Sequence, residues 1–116
     1  MDQAEFDQKW GQVEELIRSR FGRKPNLEAI LFLVGIQESG IWKTRFTKEQ
    51  KQDLMHVAVC ALLSRDGFYR QESRDAEGWP HYSLVKPVPP MDAPDQERML
   101  KECLISYFLE EGGTEP

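Results

Sequence analysis

Two stretches of the chain are apolar on nearly every side. From Leu27 to Ile36 only Glu28 is charged, and at about 100° per residue the apolar positions surround the whole helix circumference instead of forming one stripe. A helix of this kind must be enclosed by protein. The run from Leu54 to Leu63 repeats the pattern, with His56 its only strongly polar member. Both are shorter than the ~20 apolar residues a membrane span needs, so other elements of the same domain must surround them, and the two should pack against each other.

The residues at the ends favour helix over strand. Pro25 biases Lys24 away from helical angles, Asn26 can cap the exposed amides, and Glu28 places negative charge in the first turn. At the other end Gly40 suits a left-handed residue, which would set Ile41 over Ile36 in a Schellman ending. A buried strand over 30–36 would contain only three β-branched residues, Ile30, Val34 and Ile36, and would leave the caps without a role. For the second run, Thr47 and Gln50 form a capping box, and Gly67 followed by Phe68 repeats the ending, with Phe68 placed to touch Leu63.

Amphipathic elements flank this pair. Phe6, Trp10, Val13, Ile17 and Phe21 fall within about 80° of arc on a helical wheel. Gly22 is the stop, and Arg18, Arg20, Arg23 and Lys24 suit the negative end of the helix dipole. Trp42 and Phe46 lie in a connector and are expected to fold back onto the core. The chain from Phe68 to Val85 reads as two extended runs about a turn containing Gly78, and Pro80 confines its strand to an edge or to a start after it. Lys86 to Pro90 is a stiff linker. Asp92 and Pro94 open a last helix whose face carries Leu100, Cys103, Leu104, Tyr107 and Phe108. Gly112 and Gly113 end it, after Glu110 and Glu111 oppose the dipole and fray the final turn.

The expected fold is therefore mainly α: a compact four-helix domain with two buried central helices and a small β-hairpin between helices 3 and 4. It spans 1–113 as a single domain with the hairpin inserted at 68–85, and 114–116 form a disordered tail. At 116 residues one core suffices. The net charge of −5 disfavours general nucleic-acid binding over the whole surface. The first residues, Met-Asp-Gln-Ala-Glu-Phe, have neither the basic start nor the apolar core of a secretory signal. A cytoplasmic protein without membrane partners is expected. Cys60 and Cys103 have no metal-knuckle or redox spacing and read as buried thiols.

Three constellations could carry chemistry. Asp53, His56 and Cys60, at i, i+3 and i+7, share one side of the third helix and could offer metal ligands or a His-activated thiolate. The plainer reading is an imidazole hydrogen-bonded to Asp53 or to a backbone carbonyl, and no metal or other cofactor is expected. Trp79, His81 and Tyr82, with Gly78 and Pro80, resemble the rigid aromatic anchors of recognition surfaces, although the plainer reading lays Trp79 and Tyr82 over the core, with the proline shaping the turn. The order of three helices and a hairpin resembles a winged helix-turn-helix, with local positive charge at Lys43, Arg45, Lys48 and Lys51. Against DNA reading, the second connector is long, and a helix that must be buried cannot also read bases. Glu38 is the acid to check for burial.

No phosphate loop, nucleophile elbow, His-Glu-x-x-His pair or EF-hand spacing is present. The residues favour a non-enzymatic protein-interaction or regulatory domain whose partner is another protein, bound through the hairpin and its aromatics. A winged-helix-like nucleic-acid binder is the alternative, and a metal or thiol site on helix 3 the third reading. The many aromatics in a small domain are compatible with a homodimer.

Overall fold

The computed structural model describes residues 1–110. It has four helices, α1 (Gln3–Phe21), α2 (Leu27–Ser39), α3 (Lys48–Ser64) and α4 (Ala93–Ile105), with a hairpin of β1 (Tyr69–Arg74) and β2 (Pro80–Leu84) between α3 and α4. No helix among the described residues is long and apolar enough to cross a membrane. The helix end assigned to Gly112 and Gly113, the fraying at Glu111 and the tail at 114–116 lie outside the described residues. The chain divides into two compact units, one made of Met1–Leu27 and the chain from Pro90 onward, the other of Glu28–Pro89.

In the first unit α1 packs against α4. Asp2 caps α1 by accepting the Glu5 amide at 2.8 Å, and Phe6, Val13 and Ile17 are buried. Phe21 departs from the stripe expected of this helix and is 57% exposed. It occupies the last helical position before Gly22 turns left-handed at φ 82°, where the chain leaves the packed face. Cations from α4 cover the aromatics of α1: the Arg98 guanidinium lies 4.0 Å from the Phe6 ring and Lys101 Nζ 5.1 Å from the Trp10 ring.

The last helix begins where Asp92 accepts the Asp95 amide at 2.9 Å. It ends in a π-helical turn, Ser106–Glu110. Of the face expected for this helix Leu104, Tyr107 and Phe108 are buried, and Ile105 joins them, whereas Cys103 is only partly buried and Leu100 likewise.

The second unit holds the two apolar helices. From Ile30 to Ile36 and from Val57 to Leu63 no residue is exposed, as helices without a polar stripe require. The backbones approach closely: a Cβ built on Gly35 would lie 2.0 Å from the Leu54 carbonyl oxygen, so only glycine fits there. The Thr47–Gln50 capping box forms in both directions, with bonds of 3.0 and 2.9 Å.

The two helices end differently. At α3 the Phe68 amide reaches the Leu63 carbonyl and the Gly67 amide reaches that of Ser64, the two bonds of a Schellman motif. At α2 the Gly40 amide reaches the Ile36 carbonyl at 2.8 Å, but the Ile41 amide donates to Ser39 Oγ at 3.1 Å. The ending is thus the simpler left-handed cap, and the serine hydroxyl takes the amide that a Schellman bond would have used.

The approach at Gly35 sets a prediction. Alanine ordinarily stabilises a helix interior by about 1 kcal/mol over glycine, whereas here Gly35→Ala drives a methyl into a backbone oxygen and should destabilise by about 1–3 kcal/mol. Urea or thermal unfolding of the variant measures the sign, and a stabilised variant would contradict the packing described.

Candidate functional site

The hairpin turn is built around one carboxylate. Asp75 Oδ1 accepts the amides of Glu77 and Trp79, each at 3.0 Å, and Oδ2 lies 3.1 Å from His81 Nε2. The Asp75 amide donates to the Trp79 carbonyl and the Gly78 amide to the Asp75 carbonyl. These bonds close the loop expected around Gly78 and fix Trp79 and His81 relative to one another. The Trp79 amide, first among its partners, holds the Asp75 carboxyl below its ordinary value, with His81 and the Glu77 amide adding to the effect.

The ladder is antiparallel and skips a register position between Gln71 and Ser73, which makes Glu72 the extra residue of a bulge. Glu72 accepts Ser83 Oγ at 2.6 Å and Arg70 Nε at 3.0 Å. These contacts, Ser83 foremost, lower its pKa. Strand β2 begins at Pro80, which is buried and opposite Arg74.

Arg74 ties the hairpin to α2. Its Nη1 donates to the Ser39 carbonyl at 2.6 Å and to that of Gly78 at 2.8 Å, while Nη2 donates to the Glu38 carbonyl at 3.0 Å. Glu38 and Ser39 are the last residues of α2, whose carbonyls have no partner within the helix and carry its negative dipole end. A guanidinium satisfies them and sets the hairpin's position over the helix pair.

A cleft of about 360 Å³ opens between this turn and α3, lined by Asp53, His56 and Val57 from the helix and by Asp75, Glu77, Trp79, Pro80 and His81 from the hairpin. Of the three residues proposed from the sequence, Trp79 and His81 line it. Tyr82 does not. It is partly buried, and its hydroxyl pKa is pushed up by burial first, then by the charges of Glu38 and of Cys60. The alternation of a strand separates it from its neighbour His81. Trp79 is half-buried, with part of its ring against the protein and part facing the cleft. Glu38 is also partly buried.

The Asp53, His56 and Cys60 stripe yields one contact, 3.6 Å from Cys60 Sγ to His56 Nε2. Among the described residues no group of three His, Cys, Asp or Glu has the geometry to hold a metal ion. Cys60 is 1% exposed, and burial pushes its thiol up, away from thiolate. That opposes the activated nucleophile considered for this position. His56 and Asp53 instead face the cleft.

The wing reading needs cations free to meet phosphate. Arg74 is committed to backbone carbonyls and Arg70 to Glu72, while the inner positions of α3 are buried; each weighs against groove reading.

On the other side of α3's start lies a second concavity of about 380 Å³, lined by Phe32, Phe46, Trp42, Lys43, Thr44, Arg45 and Lys51. Phe46 folds back as expected, edge-on to Phe32 at 5.4 Å. Trp42 does not fold back: it leans on Phe46 at 6.1 Å and stays 69% exposed. The sequence reading missed both Arg74 as a helix cap and this exposed ring. The first had no sequence signal, because its partners lie 35 and 36 residues away; the second was legible only as an aromatic flanked by Lys43 and Arg45.

No protein-family model, curated protein or solved structure matches the chain.

The Asp75 turn gives a pH prediction. A carboxyl whose folded pKa is depressed adds stability above its unfolded value, about 3.9, and that stability is lost as pH falls through the folded value. Asp75→Asn removes the increment, so the variant should have a lower urea midpoint at neutral pH and a shallower loss of stability below pH of about 4. Parallel acid limbs for the two proteins would contradict the role given to this carboxylate.

Proposed function

We propose that the protein acts without catalysis, as an interaction or regulatory module that holds another protein against its hairpin, in the cleft between the Asp75 turn and α3. The observation that carries this reading is the fixed presentation of Trp79 and His81. Asp75 takes two amides and faces the imidazole, so little ordering is left to be done when a partner binds, and affinity rises accordingly.

The chemistry of the walls states what the partner offers. Three carboxylates, Asp53, Asp75 and Glu77, surround an indole ring and two imidazoles. A lysine or arginine side chain suits this set, because its charge meets the carboxylates and its stem and head group lie against the ring. Cys60 and Cys103, which form no disulfide, fit a reducing compartment such as the cytoplasm.

Affinity capture from the source cell tests the proposal, with three baits: the natural protein, Trp79→Ala, and the charge-reversed Asp53→Lys/Glu77→Lys. The expected result is a protein enriched on the first bait, lost on both variants, and bound in purified form with an affinity that weakens as salt rises. The charge-reversed bait keeps Trp79 and so separates a lost contact from a loosened fold. Identical captures on all three baits would overturn the proposal.

A further inference from the structure

The concavity at Trp42 carries a second inference, independent of the hairpin cleft. Its floor is an aromatic ladder: Phe32 meets Phe46 at an interplanar angle of 88° and Phe46 meets Trp42 at 72°. Both pairs are T-shaped, the arrangement that the ring quadrupoles favour. The ladder runs from α2 to the surface, where Trp42 leans on Phe46 and stays 69% exposed. An exposed indole backed by a second ring offers a large contact area with only two torsions to fix, the kind of anchor that binding hot spots use.

The rim supplies the charge. Lys43, Arg45 and Lys51 line the concavity, and none of them forms an ion pair within 4.0 Å with a carboxylate among the described residues. This positive patch sits on a chain whose net charge is −5. Many other cations are already paired, as Lys9, Arg18, Arg70, Arg98 and Lys101 are. Unspent positive charge around an apolar floor selects an anionic ligand that also carries an apolar group.

We infer that the Trp42 concavity docks an acidic segment of a partner protein, with one aromatic or branched apolar side chain on the Phe32–Phe46–Trp42 ladder and flanking carboxylates on Lys43, Arg45 and Lys51. A peptide suits the site better than a nucleic acid. Single-stranded nucleic acid stacks successive bases along a row of rings, whereas here Trp42 alone is open and both phenylalanines are partly buried. The negative charge of the whole chain also repels a long polyanion, but hinders a short acidic segment less, because its charges fall within a Debye length of the three cations.

The test selects a phage-displayed library of random dodecapeptides on the natural protein and removes binders to the double variant Trp42→Ala/Arg45→Glu. Both substituted side chains are exposed, and a thermal melt verifies that the variant folds. The expected result is enrichment of peptides in which several carboxylates flank an aromatic or branched apolar residue. A synthetic representative should bind the natural protein and Trp79→Ala equally well. It should bind Trp42→Ala and Lys43→Glu/Lys51→Glu at least about tenfold more weakly. The last variant keeps the ladder and reports the charges alone. The inference is overturned if no variant-sensitive peptide emerges, if the enriched peptides are neutral or basic, or if a dodecamer of oligothymidylate displaces the peptide more tightly than the peptide binds itself. Because the substitutions at Trp42, Lys43, Arg45 and Lys51 leave every lining residue of the hairpin cleft in place, failure of this inference leaves the hairpin proposal standing, and the converse also holds.

Discussion

The contact between Gly35 and the Leu54 carbonyl is the constraint on which the second unit depends. Two helices can come this close only where one of them has no side chain, and the reward is that the neighbouring Ile30, Val34, Leu54 and Ala58 are wholly or almost wholly removed from water. Each such aliphatic side chain contributes about 1.5–3 kcal/mol, and alanine less. The close pair then becomes the platform on which the hairpin is laid, through β1 against α3 and through the Arg74 guanidinium on the end of α2. Both concavities take residues from this platform: α3 supplies Asp53 and His56 to one, while α2 supplies Phe32 and the start of α3 supplies Lys51 to the other.

Much of this was legible in the residues, for reasons that are local. Apolar side chains all round 27–36 and 54–63 require enclosed helices. Thr47 with Gln50, and Asp92 followed by Pro94, are start signals whose hydrogen bonds are satisfied within a few positions. The hairpin between the third and fourth helices was legible from its turn residues, and the proline at its second strand fell at the strand's first position. What the chain's pattern could not show were effects decided by distant or competing partners. Ser39 captured the Ile41 amide and replaced one kind of helix ending with another. The π turn after Ile105 left no mark on the apolar spacing, whose Tyr107 and Phe108 are buried as a uniform helical wheel places them. Phe21 and Trp42 are large and apolar yet exposed, because each stands where the chain leaves a packed surface.

The candidate site was half legible. Composition singled out Trp79, His81 and Tyr82 as neighbours in sequence, and the alternation of a strand puts adjacent residues on opposite faces, so Tyr82 parts from His81. Asp53 and His56 were picked as possible metal ligands with Cys60; instead they face a cleft to which the hairpin contributes carboxylates of its own. Spacing along one helix gives a shared face, but which element covers that face is a tertiary matter. The same distinction separates the Trp42 concavity from a core: the ring is supported from beneath by Phe46 and Phe32, and nothing in its local sequence says whether another layer lies above.

Native-state hydrogen exchange tests the central claim most directly, because it reads which amides open last. The account predicts that the slowest amides of residues 28–89 are those of Leu31 to Ile36 and Val57 to Leu63, with the hairpin amides exchanging first. If the amides around Gly35 and Ala58 exchange as fast as those of the Asp75 turn, the two helices are not the platform described here.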